Sequence, residues 1–296
     1  MTIRYDITHT TTYRYAQPVS FGEHRVMFRP RDSHDLRVLA TSLDVSPEAS
    51  VRMIQDPHSN SVALVQPQEP ADTLQIVCSF VIELAQAETL VPPLSPSAEF
   101  FPFAYSVEER FDLEHYLRPH YDDPDGQLTT WARQFMRNNG PTATRELLLE
   151  MNQHIREHFT YAGRDEEGTQ TPLQTLASES GSCRDFALLM MEAIRRLGVA
   201  TRFVSGYLYE PALDDNADAD TPGMVGSGST HAWLQAYLPG AGWVPFDPTN
   251  NLVGDSQLVR VGVARDPKQA PPISGSWFGA PDAYLGMEVE VRVRRL

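Results

Sequence analysis

Apolar and polar residues alternate in short runs over the first third of the chain: Ile3 to Thr8, Arg37 to Val45, Val51 to Gln55, Val62 to Gln66 and Leu74 to Leu84. Successive side chains of a strand point to opposite faces, so each run predicts a strand with one buried side. Pro- and Asp-rich breaks separate the runs, the pattern of an antiparallel sandwich or barrel-like domain. Pro92, Pro93, Pro96 and Pro102 then mark a linker, because proline lacks the N–H that a helix interior or central strand needs. From about residue 106 the spacing turns helical. Gln127 to Arg137 carries Leu128, Trp131 and Phe135 as one stripe, Arg145 to Phe159 carries Leu148, Leu149 and Ile155, and Pro172 to Ala177 reads as a short helix. The strongest period follows: Leu188, Leu189, Met190, Ala193, Ile194 and Leu197 recur at three and four residues, and Gly198 closes a buried amphipathic helix.

That helix opens with Gly181-Ser182-Cys183-Arg184-Asp185-Phe186-Ala187. Cys183 therefore stands in the first turn, where unpaired N–H groups and the helix dipole favour a thiolate. A lone cysteine on an apolar helix is usually a small buried hydrophobe. Two further residues change that reading. Thr230 to Tyr237 and Gly242 to Asp247 read as strands flanking Leu238-Pro239-Gly240-Ala241, a hairpin signal. If pairing centres on Gly240, Trp233 faces Asp247 and His231 lies one diagonal step away, so both polar side chains share a face. A slip of one residue would separate them. A cysteine, a histidine and an aspartate in that order supply a nucleophile, a base and an orienting carboxylate for acyl transfer.

These segments resemble the transglutaminase-like superfamily of papain-fold thiol enzymes, specifically its bacterial two-part members. The likeness runs through residues 181–187, Thr-Arg-Phe-Val-Ser-Gly-Tyr-Leu at 201–208, His-Ala-Trp at 231–233 and Trp-Val-Pro-Phe-Asp-Pro-Thr-Asn at 243–250. Tyr13-Arg14-Tyr15, Arg29-Pro30-Arg31 and Asp56-Pro57-His58-Ser59-Asn60 resemble the N-terminal β domain of the same group. The resemblance implies an α+β fold, with an N-terminal antiparallel β domain on a papain-like transglutaminase core whose Cys183 helix packs on a sheet bearing His231 and Asp247. Expected boundaries are 1–88 for the β domain, 89–125 for the linker, 126–264 for the core and 265–296 for a C-terminal extension. Gln257 to Val263, at the end of the core, should extend the core sheet, and Met287 to Arg294 in the extension should return as a terminal strand.

The implied function is a cysteine protease, amidase or transamidase acting on a peptide, protein or other amide through a thioester. The catalytic residues are then Cys183, His231 and Asp247. Trp233 and Trp243 are candidates for an apolar acyl pocket, although aromatic residues on hairpins are more often core. The Cys183 backbone N–H is a candidate oxyanion donor, with Gln170 or Gln174 as side-chain candidates. Asp185 reads mainly as a first-turn carboxylate supporting the helix. The rival reading is a catalytically silent scaffold that binds a peptide or protein partner.

Composition narrows the field further. The chain has 296 residues, 41% of them hydrophobic, enough for one large core or two modest ones. No apolar run reaches membrane-spanning length, and Ile3 to Ile7 reads as a strand without the features of a signal peptide, so a cytoplasmic protein is expected. With only Cys78 and Cys183, neither a disulfide framework nor a structural zinc site is expected, and no cofactor or metal is assigned. Cys78 reads as core packing. A net charge of −15 argues against nucleic acid and anionic membrane surfaces. The Asp- and Gly-rich stretch 210–229 leads straight to His231, which fits a lid, a surface insertion or, less well in its spacing, a calcium loop.

Overall fold

A computed structural model describes residues 2–85, 91–163, 168–213, 224–225, 228–254 and 257–296. Six strands open the chain: β1 (Thr2–Phe21), β2 (His24–Val26), β3 (Leu36–Ser46), β4 (Ala49–Gln55), β5 (Ser61–Pro67) and β6 (Ala71–Ala85). They form two antiparallel sheets, one running β1–β6–β3 and the other β2–β5–β4. Ile3, Tyr5 and Ile7 of β1, Leu74 to Leu84 at alternate positions of β6, and Val62 and Val65 of β5 fill the core between them. β1 is far longer than the run Ile3 to Thr8 suggests. Its inward positions continue as His9 and Thr11, polar residues that break the apolar alternation while remaining buried.

The expected linker region is structured from Val91 onwards. It carries β7 (Phe100–Phe101) and the short helices α1 (Val107–Asp112) and α2 (Glu114–Leu117). Ser106 and Glu109 start α1 with a reciprocal cap: the Ser106 hydroxyl accepts the Glu109 N–H, and the Glu109 carboxylate accepts the Ser106 N–H. Next come α3 (Gln127–Arg133), β8 (Thr142–Ala143), which pairs with β7, and α4 (Thr144–His158). The helix expected over 127–137 stops at Arg133. The Arg137 N–H instead donates to Thr142 Oγ1, which takes that segment out of helical bonding.

The core then assembles from β9 (Thr160–Tyr161), α5 (Pro172–Ser178), β10 (Ser180–Gly181), α6 (Cys183–Arg196), β11 (Thr201–Leu208), β12 (Thr230–Leu238), β13 (Gly242–Asp247), β14 (Leu252–Val253) and β15 (Leu258–Ala264). The last five strands make one antiparallel sheet in the order β14-β13-β12-β11-β15. Gly198, at φ +82°, ends α6 in the left-handed conformation that a residue without Cβ adopts freely. Near that end lie two buried charges, Glu192 and Arg195, joined at 2.8 Å. Charges removed from water must be paired. Here Glu192 also accepts N–H groups from His120 and Tyr121, while Arg195 donates to the carbonyls of Tyr116, Thr201 and Arg265.

The end of the chain returns to its start. β16 (Ile273–Ser274) pairs with β2, whereas β17 (Trp277–Phe278) and β18 (Tyr284–Arg295) pair with β1, so the N-terminal sandwich is built from both ends of the sequence. Asp56 organises its junction with the core sheet. The carboxylate accepts the N–H groups of His58 and Asn60, the Asn60 amide and Arg25. Asn60 thus held exchanges two hydrogen bonds with the Val263 backbone on β15, at 2.7 and 2.8 Å. The architecture is α+β throughout, as expected.

Candidate active site

The site starts at the cap of α6. The Asp185 carboxylate accepts the Ser182 N–H and hydroxyl, both at 2.8 Å, and the Gln170 N–H at 2.7 Å. It therefore supports the helix start, the role its first-turn position suggested, and fixes Cys183 as the first helical residue. Gly181 allows this turn to close, since a Cβ there would lie 2.8 Å from that of Asp185. Cys183 is 7% exposed and, as first residue of α6, carries an N–H the helix cannot satisfy.

The β12–β13 hairpin brings the other two groups. Its register runs from Leu238 opposite Gly242 to Leu234 opposite Phe246, centred on Gly240, the alternative in which His231 and Asp247 share a face. His231 Nε2 lies 2.8 Å from Asp247 Oδ2, and both side chains are fully buried. Asp247 also accepts from Asn250 Nδ2 at 3.1 Å and from the Thr249 N–H at 3.0 Å. Nδ1 of His231 is buried without a hydrogen bond of good geometry, while the Cys183 thiol lies within electrostatic reach of the ring. Burial pulls the imidazole towards its neutral form. The Asp247 carboxylate, its hydrogen bond and Cys183 outweigh that and raise the pKa to about 10.

The remaining candidates scatter. Trp233 stacks 6.1 Å from His231 and packs with Val204, Leu208, Leu258 and Val263 as core. Trp243 lies about 13 Å along the strand from Asp247. There it meets Tyr116 and Tyr237 beneath the Arg202 guanidinium, away from the three catalytic candidates. Gln170 donates its side-chain amide to the Ser180 carbonyl, and the Gln174 side-chain carbonyl accepts the Thr171 N–H in the cap of α5.

Sequence reasoning passed over two residues. Asn250 closes the turn Asp247-Pro248-Thr249-Asn250, where a polar residue three positions after an aspartate was the available signal. Besides bonding Asp247, it exchanges two hydrogen bonds with the Val225 backbone. Tyr161 is half-buried on β9, bridged to Gly181, with its hydroxyl pKa raised by burial and by the nearby Cys183. No local pattern marks it.

Among the described residues no group of three or more His, Cys, Asp or Glu could hold a metal. The aspartates at 214, 215, 218 and 220, and with them most of the lid or calcium loop suggested for 210–229, lie outside the described residues. At the borders of that stretch, buried Glu210 accepts N–H groups from Ala212 and Met224. No helix among the described residues is long and apolar enough to cross a membrane.

Residues 5–83 match the family described as the bacterial transglutaminase-like N-terminal region, and residues 129–248 match the transglutaminase-like superfamily. An uncharacterized protein of Mycobacterium tuberculosis is 29% identical over 302 residues, spanning 98% of this chain and 93% of the relative. One from Mycobacterium leprae is 26% identical over 97% of this chain and 98% of its own length. The crystal structure of a proposed cysteine protease from Cytophaga hutchinsonii aligns over 99% of this chain and 91% of that one, with a TM-score of 0.69 and 19% identity, a likeness of fold.

Proposed function

The chain belongs to the transglutaminase-like superfamily, and from that premise we propose that it is a thiol enzyme acting on amide or peptide bonds through Cys183, His231 and Asp247. The observation that carries the reading is the division of labour on the imidazole. Nε2 is committed to Asp247, which leaves Nδ1 as the nitrogen available to Cys183. A positively charged imidazole beside a cysteine is the general arrangement for a nucleophilic thiol.

In this reading Cys183 Sγ bonds to the carbonyl carbon of the substrate, and the carbonyl electrons move to oxygen. The Cys183 N–H at the start of α6 is positioned to receive that charge. His231 passes its Nδ1 proton to the departing nitrogen as the C–N bond breaks, leaving a thioester and the free amine. Water, deprotonated by the now neutral His231, then displaces the sulfur and releases the carboxylic acid. An amine in place of water gives transamidation by the same steps. Asp247 compensates the imidazolium charge and sets the ring orientation.

The test is the pH dependence of Cys183 alkylation by iodoacetamide, on a Cys78→Ser background with His231→Ala as control. The proposal expects labelling that stays fast well below pH 8 and slows in His231→Ala. Labelling that rises only near the ordinary thiol value of about 8.5, and ignores His231→Ala, would overturn it in favour of a binding scaffold.

A further inference from the structure

A cavity of about 190 Å³ opens in the N-terminal sandwich, between the sheet of β3 and β6 and the sheet of β2, β4 and β5. Its inner wall is apolar and closed to solvent, with Val26, Phe28 and Ala63 each at most 3% exposed. Its mouth lies at the β3–β4 edge, where Met53 is 48% exposed and Thr41 and Ser42 reach solvent. One charged side chain lines it, Arg29. The Nε of that guanidinium is buried without a hydrogen-bond partner, and among the described residues Arg29 makes no ion pair.

Among the described residues Arg265 is the other arginine whose Nε is buried without a hydrogen-bond partner. Arg25, Arg195, Arg196 and Arg260 each meet a carboxylate, at 2.9, 2.8, 3.2 and 3.3 Å. A guanidinium stays charged at any physiological pH, and its planar fork matches a carboxylate. Arg29 and Asp44 on β3 are both near enough to act on the Cys78 thiol in the same wall, yet among the described residues no ion pair joins the two. A partly buried cation facing an apolar cavity is completed by a ligand that brings both a negative charge and a hydrocarbon body. A phosphate would find only one cation and an apolar wall, while a neutral hydrocarbon would bury Arg29 further without a partner.

We propose that this cavity binds an apolar monocarboxylate, with the carboxylate on Arg29 and the hydrocarbon body against Val26, Phe28 and Ala63. An apolar cavity of about 150 Å³ accommodates a six-carbon ring, so a body of that size fits. Two sources present this chemistry: a free branched or aromatic acid, and the C-terminal residue of a peptide ending in Leu or a similar side chain. The site is formed by the sandwich alone and does not depend on the chemistry of Cys183.

The experiment follows carbon-13-labelled methionine methyl signals of the full chain, with Met53 at the cavity mouth identified by Met53→Leu. The probes are 4-methylpentanoate, its neutral amide, and the tripeptide Ala-Ala-Leu with a free or an amidated C-terminus. The proposal expects a saturable Met53 shift with the acid, and affinity weaker by about tenfold or more for the amide and for Arg29→Gln, as loss of a charge-assisted contact requires. A free-terminus peptide that binds as tightly as the acid identifies a C-terminus as the source, whereas binding of the small acid alone identifies a free acid. An unmoved Met53 signal, equal affinity for acid and amide, or full affinity in Arg29→Gln would overturn the assignment. The acid-to-amide comparison uses the unmodified chain, so it stands even if Arg29→Gln folds poorly.

Discussion

Replacing Asp247 by Asn tests the electrostatic core of the candidate site. Asp247 gives His231 Nε2 a charged acceptor at 2.8 Å in a fully buried setting, and the imidazole pKa is raised from its ordinary 6.5 to about 10. Asn keeps the shape and removes the charge that outweighs burial. The ring should then titrate below 6.5, because the cost of burying an imidazolium is no longer offset. The sign of the stability effect follows from linkage. A group whose folded pKa is raised contributes its full stabilisation below the unfolded value of about 6.5, and that contribution is lost as pH climbs to about 10. Urea unfolding of the native chain should therefore show a loss on the order of a few kcal/mol between about pH 6.5 and about pH 10 that is absent from Asp247→Asn. The difference between the two chains cancels other groups titrating in that window. Nitrogen-15 spectra of the imidazole read the same change directly. Parallel stability profiles, with His231 titrating alike in both, would refute the claim that Asp247 holds the ring charged. Amide turnover, where found, should fall about 10²- to 10⁴-fold in the variant.

Three other outcomes follow from the geometry. His9 is buried against Phe28 and bonded to Tyr207 and Thr11, and burial lowers its pKa to about 3; the unfolded chain then binds the extra proton, so stability should fall by about 2 kcal/mol from pH 7 to pH 5, a loss that denaturation of His9→Gln should not show. Gly206 pairs with His231, and a Cβ there would lie 2.1 Å from the Val259 carbonyl and 2.8 Å from the Trp233 ring; Gly206→Ala should lower the melting temperature sharply and suppress Cys183 labelling, and a native-like melt would show that β11 can yield. Asn60→Ala removes both bonds to Val263 and leaves a buried N–H and C=O unpaired, at a cost of about 2–5 kcal/mol, measurable by urea unfolding together with faster amide exchange along β15.

The parts of this molecule legible in the sequence are those fixed by local rules. Gly240 and its flanking alternation set the hairpin register, and that alone put His231 and Asp247 on one face. The α6 boundaries were equally plain, because Ser182, Asp185 and Gly198 are cap residues in cap positions. What stayed hidden depends on long-range partners. The length of β1 is masked by His9 and Thr11, which read as surface residues yet are buried where Tyr207 arrives from the core sheet. Trp243 looked like a pocket residue because of its neighbours in sequence, whereas Tyr116, nearly 130 positions earlier, holds it elsewhere. Tyr161 reaches the site through a parallel bridge between β9 and β10 that no periodicity announces.

The split of the sandwich between the two ends of the chain explains how the site is supported. Cys183 comes from a helix cap and His231 and Asp247 from a hairpin, so their mutual placement depends on how firmly α6 and the core sheet are held. The Glu192–Arg195 pair ties α6 to the residue 116–121 segment on one side and to the carbonyls of Thr201 and Arg265 on the other. β15 is clamped in turn by Asn60, and Val263, the residue Asn60 holds, lies opposite Val204 on β11. Two residues further along β11, Gly206 faces His231. A path of side-chain bonds through Asp56 and Asn60, then of backbone pairing from β15 through β11 to β12, thus leads from the sandwich to the strand that carries His231. Packed elements of this kind move as units rather than residue by residue. The sandwich, built with strands from both termini, is thereby hydrogen-bonded to the sheet that carries His231.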